Sequence, residues 1–263
     1  MTDIYTDNKV TWCPGCPDFM VMAAVNNAVL SLITQGCKRE EFVAVADIGC
    51  GSKIYDYLSI SGMNGLHGRV VPTAFGIHVG NPKLKVMAFG GDGGVYNEGM
   101  GHFVHACRYN PNITLIVFDN QVFSLTTGQS TATSEIGFIE KTHPFGIKEM
   151  PLNPLVLALE LGATFVSRVS ALDLNQMSEV IEEAVKHEGF SLIEVLQPCL
   201  SYHDFSDFLK KNAYKIEPMG YEMALKEAKK WNYNEHEGGK VATGIFFKER
   251  KPTFEEKYLK KPN

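Results

Sequence analysis

The sequence predicts an α/β fold: a mostly parallel sheet flanked by helices. Three observations carry that expectation. Five short apolar runs, rich in Val and Ile, are apolar on both faces, as strands covered by helices must be. Stretches with apolar residues at helical spacing separate them, and strand–helix–strand alternation implies right-handed crossovers between parallel strands. Several of the runs also end in Gly, Cys, Asp or Asn, residue types that suit a ligand crevice at the carboxyl ends of such strands.

The elements follow in order. Phe19 to Ile33 has helical periodicity. Phe42 to Ala46 reads as a buried strand that ends at Asp47-Ile48-Gly49-Cys50-Gly51. Leu84 to Phe89 is a second, ending at Gly90-Gly91-Asp92-Gly93-Gly94, and a helix from Asn97 to Tyr109 follows it. Ile113 to Phe118 is a third, ending at Asp119-Asn120. Pro154 to Leu161 is a helix stopped by Gly162 at its C-cap. Thr164 to Val169 is the fourth strand, and a helix from Asp173 to His187 opens on an Asp N-cap and closes near Gly189. Leu192 to Leu196 is the fifth strand, with Cys199 just beyond it. The remaining residues are rich in Lys, Tyr and Glu. They read as a helix near Gly220 to Trp231, a short strand at Val241 to Phe247 and an extended tail packed on a surface.

Composition narrows the function classes. The chain has 263 residues, 44% of them hydrophobic and 21% charged, which suits a globular protein with a sizeable core. A net charge of -5 gives no basic footprint for nucleic acid. No apolar run approaches the roughly 20 residues of a membrane span. The N-terminal stretch lacks the basic and apolar regions of a secretory signal. Six cysteines are too few for a disulfide scaffold. The expected compartment is the reducing cytoplasm, where thiols are free, catalytic or metal-bound.

Cys13-Pro14-Gly15-Cys16 places two thiols on one tight turn. Cys50, inside Gly-Cys-Gly, and Cys199, after Pro198, both follow strands and can project from their ends. Four such thiolates fit zinc or a 4Fe–4S cluster. Cys37 and Cys107 read as ordinary packing thiols. His102 and His105 read as packing or capping residues.

The glycine-rich loop is not GxGxxG and lacks the Lys-Ser/Thr of a P-loop, so a dinucleotide or ATP fits poorly. Its glycines let main-chain N–H groups approach a phosphate. Asp92 beside those amides suggests a bridging Mg²⁺, a hard ion that takes oxygen ligands. Asn120, 28 residues on, and the Val122 carbonyl can supply two more oxygens. GDG followed at this distance by a strand-end Asn is the thiamine diphosphate signature.

With these motifs the sequence resembles the β subunit of the 2-oxoacid:ferredoxin oxidoreductases. The matching stretches are WCPGC at 12–16, DIGCGSK at 47–53, LHGR at 66–69, GGDGG at 90–94, DNQVFSLTTGQ at 119–129 and LQPC at 196–199. The tail segment ATGIFFKERKPTFEE resembles the family's ending too. The resemblance implies a thiamin diphosphate-binding fold over 1–200, bearing cluster-ligating loops, and an extension over 201–263 that packs on the core or a partner subunit. It implies that Cys13, Cys16, Cys50 and Cys199 hold one 4Fe–4S cluster, and that Asp92, Asn120 and the Val122 carbonyl hold Mg²⁺. Gly93 and Gly94, with Gly91, match the diphosphate loop. Ile48, Gly49, Cys50, Gly51 and His67 line the cofactor, Ser124 and Leu125 contact the diphosphate, and Lys53 meets the substrate carboxylate.

The implied activity is oxidative decarboxylation of a 2-oxoacid to acyl-CoA and CO₂, with 2-oxoglutarate or a broad range favoured and electrons passing through the cluster to ferredoxin. The glutamate that thiamine chemistry needs is not assignable here, although Glu98 lies near the glycine-rich loop. In the family the pyrimidine-binding domain lies on an α or fused αγ subunit, so the site forms with that partner. Two departures stand out. Ser124 replaces a glycine, so its backbone should avoid positive φ, and Thr127 occupies a position that is Gly or Lys in relatives. Two rival classes are a thiamine-dependent decarboxylase or synthase subunit without a cluster, and a zinc-stabilised binding module.

Overall fold

The structure is a computed structural model that describes residues 3–234 and 239–259. In chain order the first half comprises α1 (Asp18–Thr34), β1 (Phe42–Ala46), α2 (Ile54–Tyr57), β2 (Ser61–Asn64), α3 (Val70–Gly80), β3 (Lys85–Gly91), α4 (Met100–Tyr109) and β4 (Thr114–Asp119). A two-stranded hairpin follows, β5 (Val122–Phe123) and β6 (Gln129–Ser130). Then come α5 (Pro154–Glu160), β7 (Phe165–Ser170), α6 (Leu174–Lys186), β8 (Ser191–Leu196), α7 (Ser206–Asn212), β9 (Ala213–Ile216), α8 (Tyr221–Ala228), β10 (Val241–Lys248) and α9 (Phe254–Tyr258).

Eight of the described strands form one sheet in the order β2-β1-β3-β4-β8-β7-β10-β9. Every neighbouring pair is parallel except β7 and β10. Both faces are covered, and alternation along each strand divides the side chains between them. Phe42 and Ala44 join a core with α1 and α6, while Val43 and Val45 join a second core with α3, α4 and α5. This is why the central strands read as continuous apolar runs.

Local chemistry sets the helix ends. Asp173 caps α6 by accepting the Gln176 N–H at 3.0 Å. Asn153 caps α5 through the Val156 N–H at 3.1 Å, with Pro154 at the first helical position, where a missing N–H costs nothing. Asn110 closes α4 in the left-handed conformation at φ 57°. Its side-chain oxygen also accepts from Thr164 Oγ1 at 2.7 Å and the Phe190 N–H at 2.8 Å, tying the starts of β7 and β8 together.

The structure departs from the sequence expectations in several places, three of which bear on the site or the sheet. The helix expected from Asn97 is broken: Gly93–Glu98 winds as a π-turn, with Gly99 N donating to Gly94 O at 2.8 Å, and α4 starts only at Met100. The sequence reading omits α3, whose Pro72 and Gly76 look like breakers. Pro72 sits in the first turn, where proline is tolerated. The strand expected at Val241 to Phe247 runs to Lys248 and continues the main sheet, pairing with β7 on one side and β9 on the other. Beyond it, Phe254 of α9 packs edge-on against Phe75 of α3 at 4.8 Å. The last four residues of the expected tail, 260–263, lie outside the described residues.

One buried ionic group stands out inside the sheet. Arg168 on β7 donates from Nε to Glu194 Oε2 on β8 at 2.8 Å, and both side chains are almost fully buried. The guanidinium lies 4.9 Å from the ring centres of both Trp231 and Tyr233.

Candidate active site at the strand ends

β1, β3, β4 and β8 run in one direction, so their C-terminal ends meet on one edge of the sheet. The chain leaves β1 towards β2 on one side and returns to β3 on the other, and a crevice opens at this switch. Two cavities lie there. The first is lined by Ile48, Gly49, Cys50, Gly51, His67, Gly91, Asp92, Gly93, Gly94, Asn120, Val122, Ser124 and Leu125, together with Phe118, Phe123 and Thr126. Every residue expected to hold a diphosphate cofactor or its metal therefore faces one space. The second is lined by Cys13, Cys16, Cys50 and Cys199, with Lys53, Trp12, Asp18 and Gln197 also on its wall. Cys50, Asn120, Ser124 and Leu125 line both cavities and form the wall between them.

The glycines of the first cavity are close-fitting. A Cβ on Gly93 would sit 2.2 Å from the Phe123 ring, and one on Gly94 would sit 2.0 Å from Asp47 Oδ2. Only bare backbone fits, so the main chain can approach a bound phosphate closely. The wall supplies hard oxygens: the Asp92 carboxylate, the Asn120 amide and the Val122 carbonyl, a donor set that suits Mg²⁺. Asp92 is buried. Its Oδ2 accepts from Thr131 at 2.6 Å and from Thr133 at 3.1 Å. Burial raises the Asp92 carboxyl to about 6 against the pull of those hydroxyls. A cation there would offset the cost of burying the charge. Asp47 gives a second indication. Its Oδ2 is buried with no hydrogen-bond partner, while Oδ1 accepts the Gly68 N–H at 2.9 Å and fixes the loop that carries His67. His67 Nδ1 lies 3.0 Å from Glu98 Oε2 at the rim.

The four thiols of the second cavity arrive on three loops. Gly15, at φ 78°, lets the Cys13–Cys16 turn close, and the Cys16 N–H donates to Cys13 O at 3.0 Å. The Trp12 indole N–H donates to Cys50 O at 2.6 Å and clamps this loop to the end of β1. Cys199 exchanges main-chain bonds with His203, at 3.0 and 2.9 Å. Burial raises the Cys16 thiol, and the neighbouring Asp18 carboxylate adds to it. Burial also raises Cys50, with the Ser124 hydroxyl pulling back. Among the described residues no three His, Cys, Asp or Glu side chains close on a single point. The four cysteines line one cavity, and thiolates are the ligand type that zinc and iron–sulfur centres take. Cys107 is buried on the core face of α4 and Cys37 packs beside the α1 core, away from both cavities.

Lys53 lines the thiol cavity and not the first one, and its ammonium acts on Asp18 and Cys50. Ser124 keeps an ordinary φ, whereas Thr127 takes φ 81°. Asp18, Asp47, Thr131, Thr133 and Gln197 are site residues that the sequence reading did not single out. Asp47 and Gln197 directly follow predicted strands, and that position was their only signal. None of the described helices is long and apolar enough to cross a membrane.

Comparison with known proteins gives the family. Residues 47–195, more than half of the chain, match the family described as thiamine pyrophosphate enzyme, C-terminal TPP binding domain. The β subunit of 2-oxoacid:ferredoxin oxidoreductase 1 of Aeropyrum pernix is 34% identical over 97% of this chain and 82% of its own length. The corresponding β subunit of Saccharolobus solfataricus is 40% identical over 78% and 68%. The 2-oxoglutarate oxidoreductase subunit KorB of Mycobacterium tuberculosis is 39% identical over 80% of this chain, a match that spans 56% of that protein. A 2-oxoglutarate:ferredoxin oxidoreductase from Magnetococcus marinus, solved with 2-oxoglutarate, coenzyme A and succinyl-CoA bound, superposes with a TM-score of 0.90. It is 32% identical, over 97% of this chain and 87% of that one. On these grounds the chain belongs to the β subunits of the 2-oxoacid:ferredoxin oxidoreductases, within the thiamine pyrophosphate enzymes.

Proposed function

We propose that this subunit carries thiamine diphosphate with Mg²⁺ in the first cavity and one 4Fe–4S cluster in the second. The enzyme it serves converts a 2-oxoacid and coenzyme A to acyl-CoA and CO₂ and passes electrons to ferredoxin. The observation that carries this reading is the shared wall: Cys50, Asn120, Ser124 and Leu125 belong to both cavities, so the two groups would lie within one short step of each other. Thiamine diphosphate, when bound, supplies the electron sink for decarboxylation. Asp92, Asn120 and the Val122 carbonyl would hold Mg²⁺, and the Gly93 and Gly94 amides the diphosphate beside Gly91, Ser124 and Leu125. Ile48 to Gly51 and His67 would line the ring. Cys13, Cys16, Cys50 and Cys199 would hold the cluster, whose chemistry is one-electron acceptance.

Lys53 is the candidate for the substrate carboxylate, reached from the thiol side of the wall. A partner α or fused αγ subunit would supply the pyrimidine-binding domain and the activating glutamate. The relatives named for 2-oxoglutarate favour that substrate, or a broad range that includes it. The test is ferredoxin or viologen reduction by the co-purified complex, across 2-oxoglutarate, pyruvate and branched-chain 2-oxoacids with coenzyme A. Reduction that requires both the partner and a 2-oxoacid supports the reading. Turnover by this chain alone, or none with any 2-oxoacid, refutes it.

A further inference from the structure

The expected metal ligands arrive on two loops, Asp92 after β3 and Asn120 with the Val122 carbonyl after β4. A third stretch touches both loops. Residues 131–134, directly after β6, close into a tight turn. The Ser134 N–H donates to Thr131 O at 3.2 Å, and the Thr131 N–H donates to Ser134 Oγ at 2.8 Å. Thr131, Thr133 and Ser134 are all buried.

Towards the first loop the turn presents hydroxyls. Thr131 donates to Asp92 Oδ2 at 2.6 Å. Thr133 lies 3.1 Å from the same oxygen and 2.9 Å from Asp119 Oδ1. A hydroxyl has one hydrogen to give, so Thr133 divides its own between two carboxyls. Thr131 is therefore the full donor that fixes the Asp92 carboxylate. Towards the second loop the turn meets Gln121, which stands between Asn120 and Val122. Its amide nitrogen spends one hydrogen on Thr133 O at 2.5 Å and the other on Tyr233 O at 2.8 Å. Its carbonyl accepts the Ser134 hydroxyl, and its N–H donates to Asp119 Oδ1 at 3.1 Å. Gln121 holds φ 62°, a left-handed conformation that a residue with a side chain seldom adopts. Such a conformation persists where the surroundings over-determine it, as these four bonds do. The Asn120 side chain is held separately, by Gln197 Oε1 at 2.9 Å.

We propose that the 131–134 turn is a clamp shared by the two ligand loops, with Thr131 and Gln121 as its positioning residues. Thr131 sets the rotation of the Asp92 carboxylate, and Gln121 holds the Asn120–Val122 backbone against the same turn. The inference rests on the reading above, in which these groups hold Mg²⁺. That ion demands near-ideal octahedral geometry with oxygens at about 2.0–2.1 Å, so the loops that carry its ligands must keep a fixed separation. The bond to Tyr233 extends the clamp to the C-terminal segment, which braces the metal loop from behind.

The test is the Kd for Mn²⁺, read by electron paramagnetic resonance of the free ion, in the assembled complex with saturating thiamine diphosphate. Thr131→Val keeps the shape and removes the hydroxyl. It raises the Kd by about 10- to 100-fold, the usual effect of losing a partner that orients a metal ligand. Thr131→Ser, which keeps the hydroxyl, restores the parent value. Gln121→Met raises the Kd as well, and the double variant falls short of the product of the two effects, because both residues act through one turn. Thermal melting without metal separates this from damage to the fold: a purely structural role lowers the melting temperature and leaves the Kd alone. If Gln121→Met fails to fold, the Thr131 pair carries the test. A parent complex that binds thiamine diphosphate without any divalent ion overturns the functional reading and this inference with it. A parent with metal-dependent binding, beside a Thr131→Val variant of unchanged Kd, overturns the clamp alone, and so does a double variant whose effects simply multiply.

Discussion

Gly94→Ala is the smallest change that should close the diphosphate cradle. The added Cβ would lie 2.0 Å from Asp47 Oδ2 and 3.4 Å from His67 Cε1. Real contacts of this kind stay beyond 3.0 Å, so Asp47 must retreat by about 1 Å. It has no free direction. Asp47 is fully buried, and Oδ1 holds the Gly68 N–H at 2.9 Å. Retreat stretches that bond, worth about 1 kcal/mol net, and moves the loop that bears His67. A displacement of about 1 Å in a site commonly costs about 100-fold. The expected result is a 10- to 100-fold rise in the Kd for thiamine diphosphate with Mg²⁺, or about 1.4 to 2.8 kcal/mol. Calorimetry on the assembled enzyme reads this directly, and thermal melting without cofactor separates it from damage to the fold. Gly76→Ala is the control. That helix glycine has nothing within 4 Å of an added Cβ, so alanine should raise stability by about 0.5–1 kcal/mol and leave the affinity alone. A Gly94→Ala enzyme that binds the cofactor as tightly as the parent would refute the cradle.

Other consequences follow from single residues. Arg168→Leu leaves Glu194 buried without its cation and should cost about 3–5 kcal/mol in urea unfolding; a loss below 1 kcal/mol would contradict the pairing. Thr127→Gly relieves a β-branched residue at φ 81° and should gain up to about 1 kcal/mol, read as a higher melting temperature. His187 is held down to about 4, mainly by burial and further by Lys248 and Arg250, with Thr164 Oγ1 at 2.8 Å from Nε2. The folded chain keeps this ring neutral while the unfolded chain protonates it near 6.5, so stability should fall as pH drops from 6.5 to 4. His187→Gln should flatten the urea midpoint across that window, and an unchanged slope would assign the acid sensitivity elsewhere.

What the sequence revealed was local. β1 coincides with its predicted bounds because five consecutive apolar residues are buried on alternate faces. The strand-end residues were legible for the same reason: Cys50, Asp92, Asn120 and Cys199 each interrupt the end of an apolar run. Residues whose role lies in distant contacts were not. Gln197 matters through Asn120, 77 positions away, and Asp92 gains Thr131 and Thr133 from the segment that follows β6. α3 was hidden by Pro72, harmless in a first turn, and by Gly76, which lies in its interior. The exposed β2 carries no periodic signal. β9 and β10 join the sheet beyond β7, a pairing that the polar composition of the last segment conceals.

The account turns on what the four thiols hold beside the diphosphate cavity. Iron, acid-labile sulfide and zinc, measured on anaerobically purified protein, test it most directly. About four irons and about four sulfides per chain, with a brown colour, are predicted. One zinc, or protein without metal that still binds thiamine diphosphate, would contradict it.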